Sequence, residues 1–236
     1  MKVRLIAYTQ GVCGEEPLDI VERCASVCYN STPTSTHKIA KSCAKSGHMS
    51  VYEHISFTFM IEGVSRALLA QLTRHRHASY SVQSQRYCDM SNCEFVIPES
   101  FEDIKYTDPY VFEDLDVLRD VYNILVKNCN IPKEDARMIL PNATPTKLAF
   151  TVNARALVEI AGQRLCNRAQ KEIRELFQNI RQEVENVCPE VAALMRPQCE
   201  QHDIPFCEEQ NCCGMHKKLK DLVKCDIMTE KVVKTH

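Results

Sequence analysis

The sequence predicts an α+β fold, a mixed sheet packed with helices in a single domain. Three observations lead there. Apolar residues alternate along some segments and recur at helical spacing along others. These segments do not follow the strict strand–helix–strand order of a doubly wound parallel sheet. Hydrophobic residues make up 44% of 236, enough for a sizeable core.

The opening KVRLIAYT reads as a strand. Leu18, Ile20, Val21, Cys24 and Val27 then recur at helical spacing, so 17–30 is a helix. HKIAKSCAKSG reads as a second helix, with Gly47 placed to stop it. Ile55, Phe57, Phe59 and Ile61 alternate in HISFTFMI, the period of a strand. Val64, Ala67, Leu68 and Leu72 return to helical spacing up to Arg74, and 74–87 continues as a loop. EFVIP reads as a short strand and Val111–Cys129 as a long amphipathic helix. PKEDARMIL is a short helix, with Pro132 at a permissive first-turn position and acids near its positive end. KLAFTV reads as a strand and NARALVEIAGQRL as a helix. A further helix runs from Asn167, with Ala169, Ile173, Leu176, Phe177, Ile180, Val184 and Val187 on one face. No repeat, low-complexity tract or clear linker precedes residue 197 or so, which places one domain over 1–196 and a cysteine-rich tail over 197–236.

Lys and Arg total 29 against 31 Asp and Glu, a net charge of −2. A nucleic-acid or anionic-membrane binder would be more basic, so neither is an expected partner. No apolar run reaches the roughly 20 residues of a membrane helix, and MKVRLIAYTQ is too short and polar for a signal peptide. The expected location is the cytoplasm. In such a chain the 14 cysteines read as reduced thiols, small hydrophobes in apolar segments such as Cys24, Cys28, Cys43 and Cys166.

The densest stretch is RHRHASYSVQSQRY, 74–87. Arg74, Arg76 and Arg86 stand with His75 and His77 among the hydroxyls of Ser79, Tyr80, Ser81, Ser84 and Tyr87. Guanidinium groups bind phosphate and carboxylate through paired, planar hydrogen bonds. In a chain that is not basic, this local charge suits a phosphate, a pyrophosphate or the acidic edge of a pyrimidine. A solvated charged turn has the same composition, and an RNA-binding module using the loop would show steep salt dependence. Neither GxGxxG, GxxxxGK[ST] nor HExxH occurs.

Arg74-His75-Arg76, seven residues and Ser84 form the RHRx7S motif, and here the chain resembles the flavin-dependent thymidylate synthases. GHMSVYEHISFTF, ARMILP and FTVNARAL…R…AQKEIR agree in order, over roughly residues 1–195. The resemblance implies conversion of dUMP to dTMP. Methylenetetrahydrofolate is the one-carbon donor, and NADPH reduces a bound FAD that supplies the hydride. It also implies a homotetramer with active sites shared between subunits. An enzyme acting on another pyrimidine nucleotide would carry the same motif.

The resemblance assigns residues in turn. Gln71, Arg74, Val82, Gln83, Ser84, Gln85, Arg86, Arg137 and Arg164 match the dUMP side. Ser50, Arg74, His75, Arg76, Val82, Asn153, Ala154, Arg155 and Glu159 match the flavin side, with Ser50 given across a subunit boundary and His48 and Glu53 flanking it. Arg164 matches the catalytic arginine. A cation beside the uracil favours its enolate-like or N3-ionised form and pushes electron density to C5. Because arginine stays protonated, it stabilises charge and does not act as the base.

Four positions depart from the common pattern: Ser81-Val82 for Asn-Glu, Gln85 for Gly, Glu159 for Asn and Arg168 for His. Without a carboxylate, position 82 retains only backbone contacts. Glu159 would repel flavin phosphates or accept from a ring N–H. In the tail, Cys199, His202, Cys207, Cys212, Cys213 and His216 lack a paired CxxC and are irregularly spaced. Clusters of this kind can hold a structural zinc, but with this spacing no metal is assigned, and the tail is expected as a reduced or disordered appendage.

Overall fold

The foreseen elements follow in order, apart from the differences noted below and two unforeseen short helices, Ile104–Thr107 and Pro189–Leu194. The computed structural model describes residues 1–101, 104–108 and 110–222. In chain order they are β1 (Lys2–Tyr8), α1 (Pro17–Cys28), α2 (Lys38–Lys45), a 3-10 helix (Met49–His54), β2 (Ser56–Ser65), α3 (Arg66–Leu72) and β3 (Ala78–Val82). There follow α4 (Ile104–Thr107), α5 (Tyr110–Lys127), α6 (Lys133–Ala136), β4 (Pro145–Asn153), α7 (Ala154–Arg164), α8 (Lys171–Glu185) and α9 (Pro189–Leu194). Short 3-10 turns occupy Glu99–Phe101, Arg137–Ile139 and Gln198–Glu200. The chain divides into two compact units, Met1–Ala7 with Phe57–Val152, and Tyr8–Ser56 with the described residues from Asn153 onward.

The sheet has the order β1-β2-β4-β3. Where a mixed sheet was expected, the strands run antiparallel throughout. Thr9 donates to Ser56 while Gly63 lies beside Met1, so β1 and β2 are opposed. Thr58 bonds Thr151 at 3.0 Å while Arg66 donates to Thr144, so β2 and β4 are opposed. Ala78 to Val82 pair with Val152 to Leu148 in reverse order. β2 and β3, both opposed to β4, run in the same direction and are joined through α3 across the strand between them. The expected alternation in β2 holds: Ile55, Phe57, Phe59 and Ile61 are all buried. Phe57, Phe59, Phe150 and Tyr80 stack in a row, with neighbouring ring centroids 6.4, 6.1 and 5.4 Å apart. Aromatic pairs at this spacing add to their burial.

Two expectations fail in this unit. Residues 78–82 form β3 inside the stretch read as a loop. The sequence ASYSV alternates Ala78, Tyr80 and Val82 with serines, and its pairing with β4 makes this short run a strand. Residues 94–98 form no strand. Val96 makes one bond to Ala143 at 2.8 Å, and Pro98 cannot donate to a ladder. Elsewhere in the unit, Tyr122 of α5 packs with Met90 and Ala136 in a small buried cluster.

In the second unit α7 packs against the Met49–His54 turn, and α8 against α9. The apolar face of α8 is buried as foreseen at Ile173, Leu176, Phe177, Ile180 and Val184. Its helix begins at Lys171 and not at Asn167, because Ala169 turns back onto the Cys166 carbonyl at 2.9 Å. Every described cysteine is a free thiol. Cys43 is buried as expected, whereas Cys28 is exposed at the end of α1. The described part of the tail makes contacts of its own, with Cys207 its buried residue. Phe206 stacks on His202 with centroids 4.0 Å apart and its N–H donates to Cys199, while Cys207 bridges Lys218.

Glu22 ties α1 to the chain that follows it. Its side chain is buried and accepts from the Ala40 N–H at 2.7 Å, the Thr34 N–H at 3.0 Å and the Thr34 hydroxyl at 2.7 Å. Burial alone pushes a carboxyl up, but the donors of Ala40 and Thr34 outweigh it and hold Glu22 below its ordinary range. A lowered folded-state pKa means the stabilisation is present above the unfolded value and is lost as pH falls through the folded one. Glu22→Gln is expected to destabilise the protein at neutral pH by about 2 kcal/mol, since buried donors lose a charged acceptor. The gap to the parent should shrink below about pH 4.3. Urea melts of both proteins across pH check this, and a pH-independent gap would contradict the role given to the charge.

Candidate active site

The arginine-rich segment is built on a strand-to-helix junction. Ser65 ends β2 and its hydroxyl accepts from the Leu68 N–H at 3.0 Å, capping α3. The helix buries Leu68, Leu69 and Leu72 and delivers Gln71 to its last turn. The chain then turns: the Tyr80 hydroxyl, in β3, donates toward the Leu72 carbonyl at 2.9 Å and the His75 carbonyl at 2.8 Å. One phenol therefore holds the turn that carries Arg74, His75 and Arg76. Arg74 and Arg76 are exposed, and among the described residues neither pairs with a carboxylate.

At the end of β3, Val82 sits opposite Leu148, and the next residue, Gln83, donates its N–H to the Lys147 carbonyl at 2.9 Å. Ser84 starts a turn: its carbonyl accepts from Cys88 at 2.9 Å and its hydroxyl from the Arg86 N–H at 3.2 Å. Gln85 is buried. Arg86 points to Glu134, Nε to Oε2 at 2.7 Å, and lies 5.7 Å from the Tyr87 ring centroid. The Glu134 backbone carbonyl in turn accepts from Arg137 Nε at 3.0 Å. Glu134 thus brings Arg86 and Arg137, 51 residues apart in sequence, to one residue.

Sequence reasoning missed Arg66. It opens α3, and burial together with the nearby Arg137 charge pulls its guanidinium below the ordinary range. Among the described residues neither Arg66 nor Arg137 has a carboxylate partner. Two cations that repel one another without a counter-charge make a receptive place for an anion. A signal was present, since a cation in the first turn of a helix runs against the macrodipole.

The remaining predicted residues lie in the second unit. Asn153 caps α7, its Oδ1 accepting from Ala156 at 2.8 Å, and Ala154 is fully buried. Arg155 is held by two carboxylates, Glu53 at 2.7 Å and Glu159 at 2.9 Å. Glu159 first, then Glu53, push its pKa further up. The Glu159 departure therefore has a structural role: the acid neutralises Arg155 from one turn along the helix. Ser50 is exposed on the Met49–His54 turn that carries Glu53, so it shares that surface. Arg164 closes α7 in the last turn, where a cation complements the macrodipole. Its helix is docked through Ala156, Leu157, Ile160 and Ala161. The predicted residues thus fall in two groups: Gln71 to Arg86 and Arg137 in the first unit, Ser50 and Asn153 to Arg164 in the second.

Comparison with known proteins adds an independent finding. Residues 4–190 match the family described as thymidylate synthase complementing protein. The flavin-dependent thymidylate synthase of Clostridium tetani is 34% identical, with 94% of this chain and 96% of that protein covered. That of Geobacter sulfurreducens is 37% identical, over 95% and 98%. Among solved structures, the flavin-dependent thymidylate synthase ThyX of Helicobacter pylori, complexed with FAD and dUMP, superposes with a TM-score of 0.66 at 28% identity. It covers 83% of this chain and 98% of that one.

Asn153 has two roles to separate. Asn153→Ser keeps a capping oxygen and should leave stability within a few tenths of a kcal/mol, whereas Asn153→Ala should lose about 1 kcal/mol. A thermal melt distinguishes the two. Equal losses for both would mean that the amide, not the cap, stabilises the junction.

Proposed function

The chain belongs to the flavin-dependent thymidylate synthase family, and on that premise we propose that it converts dUMP to dTMP, with FAD as resident flavin and methylenetetrahydrofolate and NADPH as co-substrates. The observation that carries this reading is the set of guanidinium groups at Arg66, Arg74, Arg76 and Arg137, none with a carboxylate partner among the described residues. Such groups fit the phosphate of a nucleotide and the pyrophosphate of a dinucleotide.

In this reading Gln71, Arg74, Arg137 and the segment Val82, Gln83, Ser84, Gln85 and Arg86 bind dUMP. Arg74, His75 and Arg76 hold FAD together with Ser50, Val82, Asn153, Ala154, Arg155 and Glu159. Bound FAD supplies the hydride that completes the methyl group. Arg86 exchanges Glu134 for the nucleotide phosphate, so Glu134 holds it in position until the substrate arrives. Ser84 donates a hydrogen bond to the nucleotide and is not a nucleophile. Arg155 reaches the flavin as part of a pair of ion bridges, and its charge is largely balanced before the flavin phosphates are counted. Arg164 places its planar donors against the uracil, stabilising the charge that makes C5 nucleophilic. We assign the catalytic domain to 1–196 and the tail to 197–236, and place the enzyme in the cytoplasm as a homotetramer whose chains share their active sites. Among the described residues no helix is long and apolar enough to cross a membrane.

Purified protein should be yellow, release FAD on denaturation, and make dTMP from dUMP, methylenetetrahydrofolate and NADPH. Colourless protein that cannot be reconstituted with FAD would sink the reading. Arg164→Ala should slow dTMP formation about a hundredfold, the typical loss of one charge-stabilising donor. NADPH oxidation should fall much less, because reducing the flavin needs no activated uracil. Arg164→Lys should not restore the parent rate, since a point charge lacks the paired planar donors. Parent-rate dTMP formation by Arg164→Ala at saturating dUMP would remove Arg164 from catalysis.

A further inference from the structure

The chain beyond α9 turns back onto the end of α7. Residues 196–201 form a closed turn. The Glu200 N–H donates to the Pro197 carbonyl at 2.8 Å, the Gln201 N–H to the Gln198 carbonyl at 3.1 Å, and the Gln201 side-chain amide to the Arg196 carbonyl at 3.0 Å. The Gln198–Glu200 part of this turn packs against α7. The contact falls on Gly162, where a Cβ would meet Gln201 Nε2 at 2.9 Å. Gly162 is buried inside α7, where glycine weakens a helix relative to alanine. Its use there is steric: without a Cβ the helix backbone admits the Gln201 amide.

The tail also reaches the residues just past the helix. A cavity of about 40 Å³ is lined by Gly162, Gln163 and Cys166 on one side and by Pro197, Cys199 and Cys207 of the tail on the other. Arg164, the last residue of α7, stands in sequence between Gly162 and Cys166. At 3.6 residues per turn, positions two apart are about 200° apart around the axis, so Gly162 and Arg164 face opposite sides of α7. The tail turn therefore lies behind the helical turn from which Arg164 projects. Leu165 is buried and its N–H still bonds the Ala161 carbonyl at 2.9 Å, so Gly162 and Arg164 belong to one closed turn.

We infer that Gln201, seated on Gly162, is a positioning residue for Arg164. The inference rests on the catalytic reading of Arg164 given above. The tail turn backs the last turn of α7 and limits its sway, so that the guanidinium meets the uracil at a fixed distance. Stabilising a developing charge requires donors held in place before the reaction begins. A displacement of about 1 Å caused by a change remote from the chemistry can cost on the order of a hundredfold in rate. Gln201 itself takes no part in the chemistry and acts only through the helix end that it supports.

Gly162→Ala and Gln201→Ala remove the seat in two ways, one by filling the space and one by deleting the amide. Alanine favours the helix, so Gly162→Ala keeps α7. In both full-length proteins, loaded with FAD, dTMP formation at saturating dUMP should fall about tenfold, the loss expected of a sub-ångström displacement. FAD content, the thermal transition and NADPH oxidation should match the parent's. Amide hydrogen exchange at Arg164 and Leu165, read without any turnover, should quicken in both variants. Adding Gly162→Ala to Arg164→Ala should cost no further rate, since the seat acts through that guanidinium. Parent-rate dTMP formation by either single variant would overturn the positioning role, and so would a further loss in the Arg164→Ala background. Lost FAD or a lowered thermal transition in both variants would make the contact structural only and overturn it as well. Arg164→Ala at the parent rate is a different failure, since it removes the reading of Arg164 on which the inference rests.

Discussion

The antiparallel pairing of β2 with β4 is the constraint on which the rest depends. The Thr58–Thr151 bond fixes its register, and the bonds from Arg66 to Thr144 and from Ala154 to Ile55 extend it past both strand ends. Because side chains alternate with a period of two, a slip of one residue would turn Phe57, Phe59, Phe150 and Val152 out of the core. The same slip would rotate both strand-to-helix junctions. Each junction uses one device: a short polar residue ends the strand and caps the next helix, Ser65 before α3 and Asn153 before α7. Each places an arginine just beyond the cap, Arg66 in one and Arg155 in the other. Strand register therefore sets where the charges emerge.

The two junctions treat that charge differently. Around α3, Arg66, Arg74, Arg76 and Arg137 have no carboxylate partner among the described residues. Arg66 and Arg137 repel, and Arg74 and Arg76 project from a turn fixed by Tyr80. Along α7, Arg155 is already satisfied by Glu53 and Glu159. An unbalanced cluster favours a strongly anionic group, while a balanced arginine offers directed hydrogen bonds with little net attraction. Glu134 lies between these cases, binding Arg86 by its side chain and Arg137 by its backbone, so one residue aligns two cations.

The tail extends this logic to the far end of α7. Gly162 has no side chain, and the Gln201 amide occupies the space one would need. The end of the helix that carries Arg164 is thus covered by a segment outside the matched family region, which ends at residue 190.

The sequence by itself determined the period of each strong element, and with it the α+β class, the buried rows of β2 and α8 and the motif around Arg74. Those features are local: alternation, helical spacing and cap chemistry are written within a few neighbouring residues. The tertiary structure alone decided that ASYSV is a strand and EFVIP is not, because edge pairing supplies or withholds the ladder that weak propensity leaves open. It alone joined Glu53 to Arg155, Glu134 to Arg86 and Arg66 to Arg137, contacts made across 102, 48 and 71 residues of chain. Electrostatic partnership falls off with distance in space, and spacing along the chain carries no record of that distance once the chain has turned back on itself.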